Sequence, residues 1–177
     1  KIMTNVLFGY MTYDVIEQFE DIQLRHEKPN IPTAQYYAYQ FIIAFNHFNH
    51  ELYIIKNAIE GIESKYNFSL DAIETMIKNN EFNLGHFSSI GEKTSNVDNE
   101  TYIEMVKRGI AHCYRGDIFQ IVLSRRFQKE YEGDDFNLYR ALRSINPSPY
   151  CFYFNFEDFR LIGSSPEAQL IIKNNKV

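Results

Sequence analysis

The sequence predicts an α+β fold, a layered antiparallel β-sheet with helices, and three observations carry that reading. β-rich runs are separated by short polar turns, two long stretches show helical apolar spacing, and no strand-to-helix junction carries the glycine-rich loop of a parallel doubly wound sheet. Of 177 residues 45% are apolar, enough to build a core and to exclude a largely disordered chain.

The elements follow in order. Val6 to Tyr10 is a short apolar run, and Asp14 is placed to cap a brief helix through Phe19. Glu20 to Pro32 is polar, contains Pro29 and Pro32, and reads as an exposed loop. Tyr36 to Phe45 and Leu52 to Ile55 are rich in β-branched and aromatic residues, with Asn46 to His50 as the turn of an antiparallel hairpin. Ser69 can cap a helix through Lys78 that presents Leu70, Ile73, Met76 and Ile77 on one face, with Asn79-Asn80 as its stop. Gly85 to Asn99, dense in Ser, Gly, Asn and charge, is the best candidate for a loop.

The second half is more strongly patterned. Ile103, Val106, Ile110 and Cys113 recur at helical spacing between Asn99 and Arg115, and Gly116 stands where a left-handed residue would end that helix. Asp117 to Phe127 is too continuously apolar for a half-exposed strand and is expected to lie centrally in a sheet. A helix from Asp135 to Ser144 ends at Asn146-Pro147. Tyr150 to Phe156 and Arg160 to Gly163 then form a hairpin around Glu157-Asp158, and Ala168 to Ile172 is a last strand-like run.

Composition removes several functions. Eighteen basic against 23 acidic residues give a net charge of −5, mixed along the chain, so no basic stripe is available for nucleic acid. No apolar run approaches the ~20 residues of a membrane span, and the start lacks a signal-peptide pattern, so a cytoplasmic protein without a membrane is expected. Cys113 and Cys151 lack the paired spacing of a zinc or redox motif and read as reduced packing residues. His47 and His50 share a turn without a supporting carboxylate, so no metal ligand set is expected.

From Gly109 onward three motifs appear in order. They are Gly116-Asp117-Ile118-Phe119-Gln120 running into Val122-Leu123-Ser124-Arg125, then Ile145-Asn146-Pro147-Ser148-Pro149-Tyr150, then Gly163-Ser164-Ser165-Pro166-Glu167. With Gly9-Tyr10-Met11-Thr12-Tyr13-Asp14 upstream, this series resembles the anthranilate synthase large-subunit (component I) family of chorismate-utilising enzymes. The resemblance implies an internal fragment lacking the C-terminal catalytic half. It divides into a β-rich part over 1–84, a loop over 85–99, and the start of the chorismate-binding domain over 100–177, one incomplete domain overall.

That family implies a lyase that converts chorismate and ammonia to anthranilate and pyruvate for tryptophan synthesis. It uses Mg²⁺, a glutamine amidotransferase subunit as ammonia source, and tryptophan as feedback inhibitor. Because the family's metal-holding glutamates and catalytic histidine lie in its C-terminal half, this chain alone is expected to be inactive and to bind no Mg²⁺. The related aminodeoxychorismate synthase component I and a non-catalytic tryptophan-binding module are the competing readings.

The resemblance places candidate catalytic roles on Gln120 and Glu167. Water-using relatives have a lysine base at the Gln120 position, and a neutral amide cannot deprotonate water, whereas ammonia is already nucleophilic. A strand glutamine that only satisfies backbone groups is the bland alternative. Pro166 fixes the turn before Glu167, and strand-turn geometry alone also explains that residue. The family's tryptophan pocket maps onto Asn146, Pro149, Tyr150, Cys151 and Phe152, where the prolines equally serve to stop a helix and start a strand. Arg125-Arg126 could grip an anion or simply end a strand in solvent. An unpaired central strand would expose apolar surface, so self-association is expected.

Overall fold

The computed structural model describes residues 6–25, 28–63, 66–79, 85–168, 170–173 and 176. The chain divides into two compact units, Lys1–Phe82 and Asn83–Val177. Among the described residues the fold is α+β, with three α-helices and four two-stranded antiparallel ladders, as the sequence predicts.

In the first unit, β1 (Leu7–Met11) pairs antiparallel with β2 (Ala34–Ala38). Gly9 is required by this pairing, since a Cβ there would stand 2.0 Å from the Gln35 carbonyl oxygen. A 3-10 helix, Tyr13–Gln18, follows β1. Thr12 holds its N-cap position with no side-chain bond, and Asp14, expected as the cap, lies inside the helix and is buried.

The β-rich run from Tyr36 to Phe45 is two strands rather than one. It breaks at Tyr39-Gln40, whose carbonyls accept from the Asn57 side-chain amide (2.9 Å) and the Asn57 backbone N–H (2.7 Å). β2 therefore turns to β1, while β3 (Phe41–Asn46) makes the expected hairpin with β4 (Glu51–Lys56). The Asn46 side-chain oxygen accepts from Phe48 N–H at 3.0 Å and nucleates that turn. α1 (Leu70–Lys78) starts as predicted, with Ser69 Oγ accepting from Ala72 N–H at 3.1 Å, and it packs on β4. Its C-cap is Asn79; Asn80 lies outside the described residues.

The second unit begins with a correction. The stretch 85–99, expected as a loop, contains β5 (Phe87–Ser95), paired antiparallel with β6 (Phe127–Gly133). Most of β5 and all of β6 is exposed, so the ribbon needs no apolar face and its composition imitates a loop. The register shifts between Ile90 and Thr94, where Gly91 has φ 65°.

α2 (Asn99–Arg115) matches its prediction at both ends. Asp98 Oδ1 accepts from Thr101 N–H at 2.7 Å, and Gly116 closes the helix at φ 80° with its N–H on the Cys113 carbonyl at 3.0 Å. Gly109, the buried residue of α2, lets the following segment lie close. A Cβ there would meet Ile121 Cγ2 at 3.4 Å and Leu123 Cδ1 at 3.7 Å.

The central strand expected over Asp117 to Phe127 is not formed. Residues 118–125 make no backbone-to-backbone hydrogen bond among the described residues, and the strand starts only at Phe127. Continuous apolar character predicts an extended, coverable segment; a ladder also needs a neighbour, and no described strand flanks this one.

α3 (Phe136–Ile145) packs on the hairpin of β7 (Tyr150–Asn155) and β8 (Arg160–Ser165). The turn is the expected one: Asn155 Oδ1 accepts from Glu157 N–H at 3.0 Å, and Glu157 has φ 67°. The core of this unit sits beneath the turn. Phe156, 4% exposed, lies 5.1 Å from the stacked Phe159 ring and 5.7 Å from Phe154. The run Ala168 to Ile172 forms no strand among its described residues; Gln169 lies outside them.

Candidate functional site

The second and third sequence motifs meet in space. β7 and β8 pair so that Tyr150 faces Ser165, Cys151 faces Ser164 and Phe152 faces Gly163. The predicted effector residues therefore share one hairpin with the Gly-Ser-Ser segment, Tyr150 and Phe152 on one face and Cys151 on the other. Asn146, the C-cap of α3, gives its N–H to the Leu142 carbonyl, and its own carbonyl accepts from Ser164 Oγ at 2.6 Å. Pro149 completes the exposed turn into β7.

Cys151 is held by this arrangement. Its Sγ lies 3.6 Å from Ser148 Oγ, 3.4 Å from the Ser148 carbonyl and 3.7 Å from Ser164 Oγ. Hydrogen bonding to Ser148 first, and then to Ser164, holds the thiol below its ordinary value. Tyr150 and Phe152 are 46% and 37% exposed, so an aromatic wall faces outward here. The Phe152 ring lies directly on Gly163, where a Cβ would stand 2.3 Å from Cζ.

Gln120 occupies a different surface. With Tyr102, Val106, Ile110, Cys113 and Leu123 it lines an open, mostly apolar groove of about 710 Å³ beside α2. Gln120 is exposed, and its amide makes no hydrogen bond among the described residues. Glu167 is exposed beyond β8, its carbonyl accepting from Ser165 Oγ at 3.2 Å. No hydrogen bond or ion pair joins Gln120, Glu167 and the 146–152 segment among the described residues.

Arg125 is neither an open anion grip nor a solvated strand end. Its Nε donates to Ser95 Oγ at 2.9 Å and its Nη1 to Asn99 Oδ1 at 2.7 Å, with the guanidinium 4.6 Å from the Phe127 ring centre and 5.9 Å from that of Tyr102. Arg126 contributes its N–H to Asn96 Oδ1 at 2.9 Å.

Sequence reasoning missed a polar cluster at the start of α3. Asp135 accepts from Tyr153 OH at 2.6 Å and Tyr131 OH at 3.3 Å, and Arg160 Nε stands 3.5 Å away. Asp135 thus ties α3 to β6, β7 and β8. Burial first, and the Asp135 bond second, raise the Tyr153 hydroxyl above its ordinary value. The available signal was an Asp at the first position of a predicted helix, three residues ahead of Leu138.

The model of the family described as chorismate binding enzyme matches residues 1–177. The chain belongs to that family. Its relatives include anthranilate synthase component 1 of Aquifex aeolicus, 30% identical over 97% of this chain and 37% of that protein. The Acetivibrio thermocellus protein of the same name is 32% identical over 96% of this chain and 37% of its own length. A crystal structure of anthranilate synthase component I from Streptococcus pneumoniae superimposes with a TM-score of 0.74 at 27% identity, covering 97% of this chain and 40% of that one. This chain spans about 37% of the length of the curated relatives it matches.

Magnesium, which the earlier resemblance implies, is not fitted by these residues. Among the described residues no three His, Cys, Asp or Glu side chains gather into a site that could hold a metal. No helix among them is long and apolar enough to cross a membrane.

Proposed function

We propose that this chain supplies the corresponding part of an anthranilate synthase component I. In the complete enzyme, chorismate and ammonia, the latter from a glutamine amidotransferase subunit, give anthranilate and pyruvate, with Mg²⁺ required. The observation that carries the reading is the family match over residues 1–177 together with relatives named anthranilate synthase component 1.

In this reading Gln120 helps to orient the nucleophile. Its amide has no partner in the groove, so it can accept a hydrogen bond from ammonia or donate one to a substrate carboxylate, and it cannot act as a base toward water. Glu167 serves at the rim of the site. Asn146, Pro149, Tyr150, Cys151 and Phe152 form one wall of a tryptophan pocket: exposed rings can stack on an indole and the turn offers backbone groups. The 177 residues alone turn nothing over, and they work in the cytoplasm.

A chimera tests this. Residues 1–177 replace the matching segment of the Aquifex aeolicus relative, and product is followed by anthranilate fluorescence with ammonia, chorismate and Mg²⁺. Anthranilate formation that falls when tryptophan is added, and falls on Gln120→Lys, is the expected result. Aminodeoxychorismate as the product assigns the chain to the folate-linked relative instead. Tryptophan binding to the 177-residue chain without any turnover by the chimera leaves only a binding module.

A further inference from the structure

We propose that Ser164 is a positioning residue for the effector wall: its hydroxyl holds the Asn146 carbonyl and so fixes the 146–149 turn on the strand that runs to Glu167. This regulatory role rests on the reading, given above, of the hairpin as one wall of a tryptophan pocket. Helix ends leave carbonyls without donors, and the turn after α3 has few to give. Pro147 keeps Asn146 out of the helical region, at φ −131° and ψ 71°, and neither Pro147 nor Pro149 carries an N–H. Among the described residues no backbone N–H donates to the Asn146 carbonyl, and Ser164 Oγ, from across the hairpin, does so at 2.6 Å.

The same hydroxyl closes a chain. Cys151 Sγ lies 3.6 Å from Ser148 Oγ and 3.7 Å from Ser164 Oγ. One order of donors gives each hydrogen its own acceptor: the Ser148 hydroxyl to the sulfur, the thiol to Ser164 Oγ, and the Ser164 hydroxyl to the Asn146 carbonyl. The turn, β7 and β8 are thereby fastened at one point, and Ser164 is the link that reaches across. Tyr150 and Phe152 stand on the face of β7 opposite Cys151. The chain therefore sets the backbone beneath the rings without occupying the surface that an indole would meet.

Two measurements test this role. Asn146-Pro147 is the one Asn-Pro step in the sequence, so carbonyl-¹³C asparagine combined with ¹⁵N proline isolates the Asn146 carbonyl signal of the 177-residue chain. Ser164→Ala moves that carbon upfield, as loss of a hydrogen bond to a carbonyl does, and Ser164→Thr, which keeps the hydroxyl, leaves it near its place. In the Aquifex aeolicus chimera, Ser164→Ala raises the inhibition constant for tryptophan on the order of 10-fold, more than it raises the KM for chorismate, and Ser164→Thr restores inhibition. An unmoved carbonyl signal, tryptophan inhibition as strong in Ser164→Ala as in the parent, or a threonine that fails to restore it overturns the role of Ser164 and leaves the anthranilate reading standing. A parent chimera that forms anthranilate and ignores tryptophan instead removes the effector wall itself, and the role of Ser164 with it.

Discussion

Gly163→Ala tests whether the two motifs of the β7–β8 hairpin depend on each other. An added Cβ would lie 2.3, 2.6 and 3.0 Å from Phe152 Cζ, Cε1 and Cε2, whereas carbon atoms prefer about 3.5–4.0 Å. The ring must retreat by more than ~1 Å, as the preferred separation requires. Phe152 is 37% exposed and has solvent on one side to move into, so the cost falls in the lower part of the overpacking range, about 1–2 kcal/mol. With a urea slope of about 1.5 kcal/mol/M for a small unit, the midpoint falls by about 1 M. The chain has no tryptophan, so tyrosine fluorescence and far-ultraviolet dichroism follow the transition. The decisive control is Phe152→Ala. In that background the penalty should vanish to within about 0.5 kcal/mol, since residues in contact are non-additive. A penalty that persists unchanged without the ring refutes the contact as its cause.

Two further outcomes follow from the second unit. Tyr153→Phe removes the bond to Asp135 and should cost about 1.5 kcal/mol, as loss of a hydrogen bond to a charged group does; an unfolding midpoint equal to wild type would deny the cluster its role in tying α3 to the sheet. Asp98→Asn addresses pH. The Thr101 N–H holds the Asp98 carboxyl below its ordinary value, so its contribution is complete above the ordinary carboxylate range and fades as pH falls through the lowered value. The stability difference between wild type and Asp98→Asn should therefore shrink on acidification; urea midpoints at successive pH values that show it growing would contradict the sign.

Local chemistry was legible where one residue decides a structure. Ser69, Gly116 and the Glu157-Asp158 turn each act through their own backbone or a neighbour two or three residues away, so sequence alone locates them. The 3-10 helix is different: Asp14 looks like a cap, but a cap is defined by position, and Thr12 takes it. β5 was hidden because a ribbon exposed on both faces has no period to detect, and its partner lies beyond an entire helix. The 117–127 segment failed the other way, since apolar continuity reports that a segment wants cover without saying what supplies it. For the site, motif order assigned the candidate residues by resemblance, and the hairpin register explains why two of the motifs lie side by side. The Asp135 cluster was harder to read, because it joins four consecutive elements through side chains that meet only once α3 has packed on the β7–β8 hairpin.

Arg125 has a consequence for motion. Between the knot of His112, Arg115 and Asp117 on one side and the clasp of Arg125 on Ser95 and Asn99 on the other, the intervening residues are a rope fastened at both posts. Such a rope has already surrendered most of its wandering, so whatever lies down along it finds a smaller disorder penalty than a free peptide would present.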